Sequence, residues 1–460
     1  MSSISMRTAE LPMLHAASSG LGVSAKPGFI IAFVLLITLG YTMPLHEGWR
    51  LSLTEHYGFE ERLETYATEG TLMRQVAIGS LGLFGLTAIF WPGGRRLRIA
   101  GPLGLLAVGY VVWCGTSSLW ADQPMMSFRR FAALLCEASL ALALVKHTSS
   151  RQFAWVVLSC TLTWMTLGLV AELSLGTFRP WAWGYRFAGI FHPNRMSVNC
   201  AVLVLASMYL YFTDQYRRRW LLGVAGLAFV MVLLAASRSA LGAMVLAAAV
   251  VWALTAPRRR VLVGALGGVW LVALAVLLMA VLQVTVTNDA VSLGRAEHEN
   301  SSLTGRLPLW EDLLRYVGQR PFIGHGYNSF WTVDHIRDVS DEQSWAISTA
   351  HSSYLDLLLN VGIIGAFLCL STLSLGFLRA IRLSRKMPGM GYGFIAATIL
   401  YGLSAGFFET TFGMSWFFQI FILSSVCYLA FVDPDAPVPD ATPEVASRFP
   451  SRPVLGVRPI

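Results

Sequence analysis

Charged residues are scarce in this chain. Asp, Glu, Lys and Arg make up 13% of its 460 residues, against 55% hydrophobic ones. A water-soluble domain carries about 25% charged residues. So large a deficit excludes a single buried core surrounded by water and fits a chain solvated by lipid over most of its length. Cysteine is also sparse. The six residues, Cys114, Cys136, Cys160, Cys200, Cys369 and Cys427, lie in or beside apolar runs and form no C-x-x-C pair. They read as small packing residues, which excludes a disulfide framework or a zinc site built on thiolates. The first 27 residues lack the layout of a cleaved signal peptide, so the first apolar run is expected to be a retained anchor. No Walker motif and no paired His/carboxylate cluster at ligand spacing occurs, so neither ATP-driven work nor metal chemistry finds support.

What is abundant is apolar runs near the 20 residues or so that one membrane crossing needs. They fall at 28–46, 74–92, 99–119, 127–146, 152–175, 196–213, 220–236, 239–256, 260–284, 353–378, 391–408 and 414–432. The expected fold is therefore all-α and polytopic, with about twelve transmembrane helices. Between Leu221 and Leu254 only Ser237, Arg238 and Ser239 interrupt the apolar sequence. That stretch is too long for one crossing, and a tight turn at the arginine is expected.

The formal charge of +8 sits in short clusters between these runs, which argues for topology and against nucleic acid as a partner. Arg95, Arg96 and Arg98; Lys146 and Arg151; Arg217 to Arg219; Arg258 to Arg260; and Arg379, Arg382, Arg385 and Lys386 occupy alternate loops. These loops should be cytoplasmic. The opposite loops mix signs, as in 47–73 with Glu47, Glu55, Glu60, Glu61, Glu64 and Glu69. The resulting organisation is a cytoplasmic tail (1–27), nine spans (28–284), a large periplasmic loop (285–352), three spans (353–432) and a flexible cytoplasmic tail (433–460).

The large loop holds most of the chemistry. Trp310, Leu313, Leu314 and Val317 recur at helical spacing, predicting an amphipathic helix that stops near Gly318 and lies at the bilayer surface or caps a cavity. Asp334, Asp338, Asp341 and Glu342 read as a solvated acidic face. His351 stands at the entrance to span ten, where a histidine also serves as a plain helix cap. Arg238 is costly between apolar runs and calls for an anionic partner. Arg306 lies on the same face. Two arginines and a histidine there suit a lipid diphosphate, because the guanidinium fork holds phosphate oxygens bidentately. The plainer alternative is that each arginine is an interfacial anchor.

Four sequence pieces resemble the O-antigen ligase family, which includes O-antigen ligases, O-antigen polymerases and exopolysaccharide polymerases. Arg186-Phe187-Ala188-Gly189-Ile190-Phe191-His192-Pro193-Asn194 is similar to its R-x-x-G-x-F-x-x-P-N segment, and Ser237-Arg238-Ser239 to its S-R-S/G turn. Gly305-Arg306 with Trp310, then Pro321, Gly324, Gly326 and Phe330, resembles its G-R-x-x-x-W and P-x-x-G-x-G-x-x-x-F run. His351 to Gly362 resembles its H-x10-G pattern. Upstream, Ser118-Leu119-Trp120-Ala121-Asp122-Gln123-Pro124, with Ser127, Arg129 and Arg130, is similar to the exopolysaccharide branch. One departure is Ser352, where many members have Asn after the histidine.

The resemblance implies a metal-independent, cofactor-free glycosyl transfer at the periplasmic face of the bacterial inner membrane. The donor would be a glycan on undecaprenyl diphosphate. The acceptor would be a second lipid-linked glycan in a polymerase, which the upstream segment favours, or lipid A–core in a ligase. A chain-length regulator is an expected partner of the polymerase. Arg238 and Arg306 would hold the diphosphate and His351 would orient or deprotonate the acceptor, with Arg186, Asn194, Trp310 and Tyr354 as substrate-binding residues. A transporter or flippase of lipid-linked sugars and a non-catalytic assembly protein are the competing classes. Neither explains why arginine and histidine gather on one face.

Overall fold

The computed structural model describes residues 27–42, 72–182, 184–213, 218–255, 306–343, 347–413 and 416–434, and every regular element among them is helical. In chain order the helices are α1 (Pro27–Thr42), α2 (Leu72–Phe90), α3 (Gly101–Thr116), α4 (Pro124–His147), α5 (Ser150–Ser174), α6 (Pro193–Thr213), α7 (Trp220–Leu234), α8 (Arg238–Thr255), α9 (Arg306–Gln319), α10 (Val333–Gln343), α11 (Ser353–Lys386), α12 (Tyr392–Ala405) and α13 (Phe417–Ala430). Eleven of the twelve expected spans coincide with one of these helices. The ninth, 260–284, lies outside the described residues, as do 1–26 and 435–460 of the two tails, the acidic loop up to residue 71, and 285–305 of the large loop.

The chain is a polytopic membrane protein. Five helices have the length and apolarity to cross a bilayer, and five shorter ones are equally apolar. Side chains that a soluble protein would bury, such as Leu83, Leu105, Val112, Phe212 and Phe367, lie exposed on the outside of the bundle, as expected of a surface that meets lipid. Small residues bring helices together inside. The α2–α4 contact is close because Gly82 faces Cys136 and Gly85 faces the Ser139–Leu140 backbone, leaving no room for a Cβ at either glycine.

Loop-to-loop contacts sort the connections into two faces, as the charge alternation requires. On one face, Arg95 N–H donates to Lys146 O (2.8 Å), Arg98 N–H donates to Phe431 O (2.9 Å), and Ser150 Oγ bonds to Met390 O. On the other, segments 117–130, 176–195, 235–238, 306–353 and 406–416 meet one another. This second face carries α9 and α10.

These two helices form a small subdomain with its own core of Leu309, Leu313, Phe330, Trp331, Ile336, Val339, Ile347 and Ala350, closed by Leu359 of α11. The α9 helix is amphipathic as expected, but its buried stripe runs through Leu309 and Leu313, and Leu314 is exposed. The acids of α10 are exposed opposite buried Ile336 and Val339.

Helix α11 is broken at Gly362, with φ 64° and ψ −172°. A break inside a span frees backbone groups that lipid cannot satisfy. The loop satisfies them: Ile363 and Ile364 N–H donate to Pro321 and Phe322 O (2.8 and 3.2 Å), and Leu359 O accepts from His325 N–H (2.8 Å). The backbones touch so closely that a Cβ on Gly362 would strike the Phe322 carbonyl, and one on Gly324 would lie 2.6 Å from the Asn360 carbonyl. Only glycine fits at either position, since both also have positive φ.

Candidate active site at the α9–α10 face

Three helices on this face open with arginine where an acid is customary. Arg195 stands in the first turn of α6, Arg238 begins α8 and Arg306 begins α9, and none of the three has an acid in its first turn. Helix N-termini carry partial positive charge and favour anions. Cations placed there raise the positive potential further, so the arrangement is built to receive negative charge.

The segment before α6 is strapped in place by Glu172 of α5. Its Oε1 accepts the Ala188 and Gly189 N–H groups (2.9 and 2.6 Å), and Tyr185 hydroxyl bonds to its other oxygen. Gly189 lies against Gly168 of α5, where a Cβ would come within 2.8 Å of the Gly168 Cα. Phe187 N–H donates to Leu234 O (2.9 Å) and Arg186 Nε to Ala235 O (3.2 Å), which ties this segment to the α7–α8 turn. The turn itself is made by Ala236 at φ 52°, two residues before the arginine at which it was expected. Arg238 is therefore the first helical residue of α8, partly exposed beside that turn.

Glu409, in the α12–α13 connection, joins the pieces. Its Oε1 accepts from Asn194 Nδ2 (2.7 Å) and lies 3.5 Å from Arg306 Nη2. Asn194 Oδ1 accepts from Arg186 Nη2 (2.6 Å). Arg306 Nη1 donates to Phe408 O (2.7 Å), and Ser353 Oγ donates to Glu409 O (3.1 Å). Burial pushes the Glu409 carboxyl above its ordinary range, while Arg306, Arg195 and Arg186 pull it down. Arg195 also lies over the Trp416 ring, 5.6 Å from its centroid.

His351 belongs to the same cluster. Burial pushes its pKa down to about 3, and the charges of Arg306 and Arg195 and the neighbouring His192 push the same way. It is a neutral imidazole among cations. His192 stands exposed beside this cluster, and its Nδ1 faces Asn194 N–H at 3.3 Å. His351 has φ 48°, an uncommon geometry for a non-glycine residue. Its neighbour Ala350 is pinned at both backbone groups: its N–H donates to Asp356 Oδ1 (3.2 Å) and its O accepts from Trp310 Nε1 (2.9 Å). Asp356 is further held by Trp331 Nε1 (3.0 Å) and Thr410 Oγ1 (2.6 Å).

Of the residues singled out from sequence, Arg186, Asn194, Arg306 and His351 meet around Glu409, and Arg238 begins the helix beside them. Trp310 and Tyr354 use their polar atoms internally. Tyr354 hydroxyl donates to Leu403 O (2.8 Å) and its ring packs on Phe407. Sequence reasoning missed Glu409, Arg195, His192 and Asp356. Glu409 is a lone acid between apolar runs, a signal as strong as that of Arg238.

The upstream segment forms a second polar knot. Asp122 bridges His325 Nδ1 (2.9 Å) and Arg320 Nη2 (2.8 Å), Arg320 Nη1 donates to Trp120 O (3.0 Å), and Trp120 Nε1 donates to Ile323 O (3.2 Å). Arg130 bonds to Asn328 O, and Ser117 Oγ accepts from Tyr327 N–H (2.9 Å). These residues anchor the loop to the α3–α4 corner.

Two short patterns are settled by their surroundings. Gly402-Leu403-Ser404-Ala405-Gly406 spells the letters of a nucleophile elbow, but Ser404 lies within α12 with its hydroxyl on Leu400 O (2.8 Å). Asp433-Pro434-Asp435 is a D-x-D run, and its Asp433 pairs with Arg98 on the opposite face. Among the described residues no group of three His, Cys, Asp or Glu side chains is placed to hold a metal.

Residues 223–370 match the family model for O-antigen ligase. That is about a third of the chain, and it contains Arg238, Arg306, Trp310, His351 and Tyr354, with Arg186 and Asn194 before it and Glu409 after it. The match supports the resemblance to the O-antigen ligase family, whose members are membrane enzymes that handle lipid-linked glycans. No curated protein matches the chain at a significant level.

Proposed function

We propose that this protein is an inner-membrane glycosyltransferase that polymerises or transfers a glycan carried on undecaprenyl diphosphate, with the α9–α10 face in the periplasm. The observation that carries the reading is the gathering of Arg186, Arg195 and Arg306 with a neutral His351 near Glu409. A diphosphate is an anion whose oxygens such a group of guanidinium forks would grip.

In the transfer, an acceptor hydroxyl attacks the anomeric carbon, the bond from that carbon to the phosphate oxygen breaks, and its electron pair leaves on the diphosphate. Arg306 and Arg238 stabilise that developing charge, where fixed cations act most strongly. His351, neutral and therefore able to accept, takes the acceptor's proton. The chemistry asks for no metal, and activity should persist in excess chelator.

Polymerase is favoured over ligase by the likeness of the upstream segment to the exopolysaccharide branch. Trp120 and Asp122 of that segment anchor the loop, so the preference stands on the likeness alone. The deciding test pairs glycan product with donor binding in membranes matched for protein level. His351→Ala should bind the lipid-linked donor and form no product, whereas Arg306→Ala should lose both. Wild-type product from both variants would overturn the assignment, and sugar movement without bond formation would favour a flippase.

A further inference from the structure

Glu409 uses the donors that the proposed function assigns to phosphate. Its Oε1 faces Arg306 Nη2 and takes the Asn194 amide, whose oxygen in turn holds Arg186. Arg195 acts on it through space. The carboxylate is shielded, with 13% of its side chain exposed, and its backbone is clamped: its O accepts from Ser353 Oγ and its N–H donates to Ala405 O. A carboxylate and a phosphate share the planar or trigonal oxygen edge that a guanidinium grips. Arg306 cannot give its full fork to Glu409 and to an incoming diphosphate together.

We infer that Glu409 is a resident counterion that occupies the arginine cluster in the empty enzyme, is displaced by the donor's diphosphate, and retakes Arg306 to release undecaprenyl diphosphate after transfer. The inference rests on the proposed diphosphate site and adds a residue outside the matched family region, with a role in the binding cycle. Its physical basis is charge. Arginines gathered at one place, with Arg306 partly shielded from water, repel one another unless an anion lies among them, so an enzyme that must stand empty between turnovers needs an internal anion. The same anion weakens the grip on product, which otherwise would dissociate slowly from several cations.

The test uses the full chain in lipid nanodiscs with undecaprenyl diphosphate as the titrated probe. Glu409→Gln keeps the size and the acceptor for Asn194 and removes the competing charge. It should bind the probe at least about tenfold tighter, and turnover should fall while KM falls with it, because release becomes slow. A loss of packing cannot produce tighter binding, so the readout separates a counterion from a scaffold. Glu409→Asp, which withdraws the carboxylate by one methylene, should tighten binding to a smaller degree and serves if the glutamine variant does not accumulate. Unchanged or weaker binding in both variants overturns the inference while leaving the diphosphate site standing. If the wild type does not bind the probe saturably, the diphosphate site and the counterion fall together.

Discussion

Glu409 Oε1 and Arg306 Nη2 are 3.5 Å apart, with 13% and 18% of their side chains exposed. The residues come from the α12–α13 connection and from the start of α9, more than a hundred positions apart in the chain. Their pairing fixes the N-terminus of α9 against the mouth of the bundle and sets the charge that any ligand there must meet. Arg306→Lys keeps the cation and loses the fork. It should retain donor binding at reduced affinity and lose at least about tenfold in turnover, while Arg306→Ala should lose about 10²–10³-fold, the range for removing one oxyanion stabiliser. Product formation at matched expression checks both.

The acid limb of activity should shift with the state of the enzyme. His351 is held near about 3 by burial and by the cations around it, so in the free enzyme it stays neutral far below the ordinary histidine range. The profile of kcat/KM, which reports free-enzyme groups, should show no histidine inflection between pH 7 and 5. Bound diphosphate brings negative charge beside Arg306, and anions favour the protonated imidazole. The limb in kcat should therefore lie at higher pH than the limb in kcat/KM. Coincident limbs, or the reverse order, would count against His351 as the base.

Gly362→Ala should destabilise the protein by about 1–3 kcal/mol from its positive φ alone, with a further cost from the collision with Phe322. Thermal melting in nanodiscs measures it. Gly79→Ala, where a Cβ meets open space, should melt like the wild type.

The face bearing the site should be periplasmic. A single cysteine at Asp341, which is exposed on α10, should react with an impermeant maleimide in intact cells, and one at exposed Arg218 should react only after lysis. Labelling of both from the same side would remove the topology on which the proposed reaction depends.

Trp310→Phe should leave donor binding within about twofold of wild type and cost about 0.5–1.5 kcal/mol in stability, the usual net worth of one hydrogen bond. A large loss of affinity would instead place the indole on the glycan.

Apolar periodicity made eleven of the expected spans legible as helices, ten of them to within a few residues, while α11 runs on to Lys386, past the expected end at 378. The break in α11 was not legible as a break. Gly362 stood out only through resemblance, and the reason for it is a backbone contact with Pro321 to Gly324 that no local pattern announces. Within the candidate site, Arg186, Asn194, Arg306 and His351, singled out through their motifs and chemistry, are brought together by the fold. Glu409 was not, since it follows an apolar run without a motif, and its role emerges only when α12 and α13 bring their connection to the arginines. The upstream Trp120 and Asp122 show the converse, a segment singled out by resemblance whose contacts anchor the loop.

The dependence of the α9–α10 subdomain on α11 also constrains how the molecule is assembled. Its core lacks one wall until Leu359 arrives, and the freed amides of α11 lack acceptors until Pro321 and Phe322 lie beside them. Neither part is complete alone, and the loop is synthesised first. The two parts therefore complete each other, and neither has its full set of contacts without the other. A fragment spanning α9 and α10 would expose an open apolar wall, and insertions between Gln343 and His351 would act on the bundle as strongly as on the loop.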